Sequence, residues 1–152
     1  MNQNVNMDSR HFCQLKEQLR LSYVYLIKMH IQIYKKYELF KRKFNNDEAI
    51  KCIPSVDLYF YDATGKINWN NIQPLMPYDI EKKIKKEYGV LSENEIKLYC
   101  LLLFDVPLKD ITDILSYTQR SIHSITHKIK QKTGIKNIKS NLKSLLLYEK
   151  IE

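Results

Sequence analysis

The chain contains little that would bend or cross-link it: three glycines, four prolines and three cysteines in 152 residues. So few turn-forming residues, set among many Lys, Ile and Leu, argue for long helices and few turns. Cys13, Cys52 and Cys100 are odd in number and widely spaced. No C-x-x-C pair or zinc-type cluster joins them, so a reduced, cytoplasmic setting is the simple reading. Long apolar runs are also missing. The longest, Tyr99 to Phe104, falls far short of the ~20 residues needed to cross a bilayer. Near Met1 no charged start leads into an apolar core, so no secretory signal is expected.

What the chain does have is positive charge. Lys and Arg number 25 against 17 for Asp and Glu, a formal net charge of +8. A surplus of that size favours an anionic partner, which composition alone leaves open between nucleic acid, an acidic protein and a membrane surface. With 44% hydrophobic residues, the length allows one compact domain, or a small domain plus an extended helical arm, and excludes two large domains.

From about Asp8 to Phe44 there is neither Pro nor Gly. Phe12, Leu19, Tyr23, Leu26, Ile33, Tyr37, Phe40 and Phe44 fit a register of alternating three- and four-residue steps, interrupted by Lys16 and His30. The stretch reads as one amphipathic helix, ~55 Å long if it spans ~37 residues. A helix of that length cannot fold back into a small globule, so its seam is expected to meet a second helix, most simply another copy of itself. A helical hairpin, or a helix lying on the C-terminal domain, is the other reading.

The middle segment carries strand formers at Ser55-Val56-Asp57-Leu58-Tyr59-Phe60-Tyr61. A turn is expected at Asp62-Ala63-Thr64-Gly65-Lys66, before Ile67-Asn68-Trp69. This predicts either a small β-hairpin or an aromatic connector packed on a helix, with Trp69 as a packing anchor. Pro74 and Pro77 punctuate the chain, and a short lysine-rich helix is expected from Tyr78 to Tyr88, stopped by Gly89.

The C-terminal third is the most informative. Ser92 with Glu95 three residues later is a capping-box pattern, so a helix should start there and run through Ile96, Leu98, Tyr99 and Leu101 to Leu103 as the spine of a core. It should end near Phe104 or Asp105, because Val106 precedes Pro107. Pro107 suits the first turn of a second helix reaching about Leu115. Ser116-Tyr117-Thr118 then breaks the pattern, and Thr118 can cap a third helix that Gly134 ends. Ile111, Leu115, Tyr117, Ile122 and Ile125 have the spacing by which the halves of a helix-turn-helix pack together, with small Thr112 at their close approach.

In the third helix Ile122, Ile125 and Ile129 are expected to point inward. That leaves Gln119, Arg120, His123, Ser124, His127, Lys128, Lys130 and Gln131 on the outer and flanking faces. Hydrogen-bonding side chains near a helix N-terminus can reach base edges, and lysines can meet phosphates. From Pro107 to Lys150 there are nine basic residues against Asp110, Asp113 and Glu149, so most of the surplus charge lies in this third of the chain. A solvated basic helix would carry the same charge.

These stretches resemble the helix-turn-helix domain of LuxR/FixJ-type (GerE-like) response regulators. That family's motifs run in the order L-T-x-x-E, L-L, K-E-I-A-x-x-L, S-x-x-T-V-K and I-x-x-K-L-G-V-x-N. Here they read LSENE, LLL, KDITDIL, TQRSIH and IKQKTGIKN, in the same order and without gaps, over about a third of the chain. The Trp69 and Pro77-Tyr78 region is similar to the linker of related Bacteroidetes regulators, in which a coiled-coil arm precedes this domain.

The resemblance implies a mainly α fold: a long coiled-coil-like helix in residues 1–45, a connector in 46–90, and a four-helix domain of LuxR type in 91–152. It implies double-stranded DNA as partner, with Arg120, Ser121, His123, Ser124 and His127 at the interface and Lys109, Lys128 and Lys132 on the backbone. Thr118, Gln119 and Lys130 complete the expected contact set. His123 stands where the family usually has lysine, Thr112 where it has alanine, and Thr133 where it has leucine. No receiver or small-molecule sensing domain fits in the preceding ~90 residues, so a separate sensor protein is a possible partner.

His123 and His127 have a spacing that can bind zinc, but no third ligand is evident. No Ser/His/Asp or Cys/His constellation and no phosphate-binding glycine loop stands out, so neither an enzyme nor a cofactor is expected. The competing reading is a non-catalytic interaction module that keeps the fold and binds another regulator or RNA polymerase.

Overall fold

The computed structural model describes residues 2–43, 59–62, 64, 66–142 and 145, with side chains from residue 9 onward. Phe44, Cys52, residues 55–58, Ala63, Gly65, Lys143 and Lys150 lie outside the described residues. Helices α1 (Asn2–Lys43), α2 (Trp69–Ile72), α3 (Ile80–Glu87), α4 (Glu93–Leu103), α5 (Leu108–Leu115) and α6 (Gln119–Thr133) dominate. Single 3-10 turns follow at Gln73–Leu75 and Lys139–Asn141. The chain is mainly α, and none of its described helices is long and apolar enough to cross a membrane.

α4 forms the spine of the core. Ser92 caps it by accepting the Glu95 amide at 3.3 Å. Leu98, Tyr99, Cys100, Leu101 and Leu103 are then completely buried, so the helix is covered on several sides. α6 covers one side through Ile122 and Ile129, α5 through Ile111, and α3 through Ile84. Leu142 and Leu145 close the C-terminal end. The Asn141 amide donates to the Tyr99 hydroxyl at 2.5 Å, which satisfies a phenol whose ionisation burial pushes up. Asp105 turns into the left-handed region at φ 56°, and the Val106 amide reaches the Leu101 carbonyl at 3.1 Å, so α4 ends just ahead of Pro107.

α1 is longer at its start than its apolar pattern suggested. It also lies against the chain's own core, the other reading that the sequence left open, through a stripe that periodicity did not single out, together with Tyr23 from the one that it did. Val24, Ile27 and Ile31 are buried, Tyr23 meets Phe104 edge-on at 6.2 Å, and Lys35 pairs with Asp110 of α5 at 2.6 Å. Leu19, Leu26 and Ile33 stay exposed.

In the middle, the described residues hold no strand and only one antiparallel bridge, Tyr61 to Ile67. Asp62 organises the turn between them, accepting the Thr64 hydroxyl and the Thr64 and Lys66 amides. Among the described residues, which leave out 55–58, this is a turn with one bridge, and its aromatic side chains pack on α1 as in the other reading, an aromatic connector on a helix. Phe60 stacks on Tyr37 at 4.6 Å and 21°, and Tyr61 lies 5.6 Å from Tyr34. His30 sits beside Tyr59 and Phe60, where burial holds its imidazole below its ordinary range. Trp69 anchors α2 to α3 by donating from Nε1 to Glu81 at 3.0 Å.

Candidate nucleic-acid interface

The connection between α5 and α6 sets the site. Ser116 adopts a left-handed conformation, φ 56° and ψ 38°, which stops α5 and turns the chain within Ser116-Tyr117-Thr118. Thr118, extended at φ −74° and ψ 157°, then caps α6 by accepting the Ser121 amide at 3.1 Å. Leu115, Tyr117 and Ile125 pack against the same core as Ile111 and Ile122, so the two helices meet closely around this turn.

With Ile122 and Ile129 facing inward, helical geometry directs the opposite face of α6 to solvent. Arg120, His123, Ser124 and His127 lie on that face and are exposed. Gln131 belongs to the same face; sequence placed it outward but not among the expected contacts. Gln119, Lys128 and Lys130 are exposed along its edges, and Lys109 is exposed in the first turn of α5. α6 carries no Asp or Glu anywhere along its length. Its N-terminus contributes a further partial positive charge beside Arg120.

Three expected contacts have other duties. Thr118 and Ser121 hydrogen-bond each other through their hydroxyls at 3.0 Å while making the cap. Lys132 is drawn to the flank of α6, where its amine meets Glu95 at 2.7 Å. Glu95 also accepts the Ser92 hydroxyl at 3.2 Å, so Lys132 ties the end of α6 to the start of α4. Nothing local in sequence could have signalled this pair, because 37 residues separate its members. Asp110, counted among the acids of this third of the chain, is buried and neutralised by Lys35. Lys132 and Lys139 are in turn paired with Glu95 and Asp105, at 2.7 and 3.0 Å, so these ion pairs together do not raise the net positive charge of this third of the chain.

His123 and His127 lie one turn apart, and among the described residues no three His, Cys, Asp or Glu side chains gather where they could hold a metal ion. Two open clefts of about 370 and 400 Å³ flank Trp69 and Lys97. They are lined mainly by Asn, Lys, Glu and apolar side chains, with no His, Ser or Cys to serve as nucleophile or imidazole base. No protein-family model matches the chain, and no curated protein or solved structure is detectably similar to it.

Proposed function

We propose that the chain is a DNA-binding transcription regulator in which α5, the Ser116-Tyr117-Thr118 turn and α6 act as a LuxR-type helix-turn-helix. The observation that carries this reading is the outward face of α6: open, rich in Arg, His, Ser and Lys, and free of carboxylates. The major groove of B-DNA is ~12 Å wide and admits a helix, and each base pair there shows a distinct donor and acceptor pattern. Arg120, His123, Ser124 and His127 project from the half of α6 that would enter it. Lys109, Lys128 and Lys130, exposed beside that face, would meet phosphates on either side. Lys132 contributes mainly by fixing α6. The protein would work in the cytoplasm as a homodimer joined through α1, under the control of a separate sensor protein.

The reading is tested by measuring binding of random and genomic duplex fragments across a range of salt. Affinity should fall steeply, because each neutralised phosphate contributes ~0.9 to the slope of log affinity against log salt. No binding even at low salt would overturn the proposal and leave the α6 surface to a protein partner.

A further inference from the structure

α1 carries two apolar stripes. One, Val24, Ile27 and Ile31, is spent on the chain's own core. The other comprises Phe12, Leu15, Leu19, Leu26, Met29 and Ile33, each 44–54% exposed. These six recur in steps of three and four, with Ser22 filling the one vacant place, which is the seven-residue repeat of a coiled-coil seam. An apolar strip over more than three heptads is rarely left in water. Beside it, Tyr25, Lys28, Met29, Gln32, Ile33 and Lys36 outline a groove of about 350 Å³. Met29, Gln32, Ile33 and Lys36 are the four positions that form a hole for an incoming knob.

We infer that a second copy of this chain lies antiparallel along that stripe, so that α1 has its own core on one side and the partner's α1 on the other. The inference rests on the dimeric part of the proposed function and adds the face and the direction. Charge permits a second copy: Gln18, Tyr25 and Gln32 flank the seam on one side and Lys16, Tyr23 and His30 on the other, and antiparallel pairing sets Lys16, the one lysine among them, near the partner's His30 rather than near another lysine. Charge also sets the direction. Lys36 takes the next place in the repeat after Ile33. Parallel pairing would set Lys36 against Lys36 inside the seam. Antiparallel pairing separates them and opposes the helix dipoles. Leu15 then enters the hole around the partner's Ile33, Leu19 meets the partner's Met29, and Ser22 meets the partner's Leu26. Lys36 lies beside the partner's Phe12 at the end of the seam, where its stem can cover the ring while its amine stays in water.

The test uses the full chain with Cys52→Ser, spin-labelled at exposed Cys13; Cys100 is buried, and burial suppresses its thiolate. The antiparallel dimer places the two labels about 33 Å apart along the axis. Parallel pairing in register would hold them within about 20 Å. Sedimentation should give twice the chain mass, falling to one chain mass in the Leu26→Asp, Ile33→Asp double variant. Circular dichroism should show the helix content of that variant retained, because both residues are exposed in the chain. A dimer with the short distance, or a dimer that survives both aspartates, overturns the inference but leaves the dimeric reading standing. A monomeric parent chain overturns both, and the salt-dependent DNA assay judges the regulator reading separately.

Discussion

Ser116 occupies a backbone conformation that suits glycine better than any residue with a Cβ. At φ 56° and ψ 38° it is fully left-handed, and it is the residue on which the direction of α6 depends. A left-handed non-glycine residue costs ~1–2 kcal/mol relative to the helical region, and a β-branched residue costs more. Ser116→Gly should therefore raise the unfolding free energy by ~0.5–1 kcal/mol, less the extra backbone freedom that glycine has in the unfolded chain. Ser116→Val should lower it by ~1–2 kcal/mol. Urea denaturation of the three proteins decides the matter. If glycine were the least stable of the three, the backbone at this turn would not be under strain, and the Ser116 side chain would be making an interaction of its own.

At the scale of the element, α6 can be divided by the work each side chain would do. Arg120 lies outward near the N-terminal end, where a guanidinium can grip a base edge with two hydrogen bonds, so Arg120→Ala should cost ~1–3 kcal/mol at the preferred site. It should cost much less on random DNA. Lys128→Ala should weaken both alike and reduce the salt slope by ~1. Titrations of both variants on a selected site and on random duplex separate the roles. Equal losses for Arg120→Ala on the two DNAs would reduce Arg120 to a phosphate contact.

The ends of these helices were legible in the sequence because the signals are local. Ser92 and Thr118 cap through amides three residues ahead, Pro107 stands at the N-cap of α5, and Gly134 closes α6 at φ 73°. The outward face of α6 followed from the three isoleucines on the other side. What could not be read was which of two apolar stripes on α1 the chain would keep for itself. Periodicity marks faces but does not assign partners, and the longer stripe hid the three-residue one at Val24, Ile27 and Ile31. For a similar reason the aromatic run around Phe60 looked like a strand; β propensity reflects the packing a residue finds, and here the packing is offered by α1.

For the whole molecule one contact joins the arm to the candidate DNA-binding region. Lys35 on α1 reaches Asp110 on α5, the helix that leads into the Ser116 turn and α6, so an ion pair over an apolar joint links the arm to the candidate DNA-binding surface. The Asp110 side chain is only 7% exposed and that of Lys35 39% exposed, so the carboxylate depends on this amine far more than the amine depends on it. Lys35→Met would leave a buried charge without its counter-ion and should cost ~1–3 kcal/mol. Asp110→Asn should cost less, since the exposed amine can return to water. The double variant should recover part of the loss, because a buried pair replaced on both sides no longer carries an uncompensated charge. Urea unfolding of all four proteins forms the cycle that isolates the coupling. A coupling near zero would mean that α1 is held by its apolar and aromatic contacts without help from the ion pair. A clear coupling, accompanied by weaker DNA binding in Lys35→Met at temperatures where it remains folded, would mean that the placement of the arm is transmitted through α5 to α6.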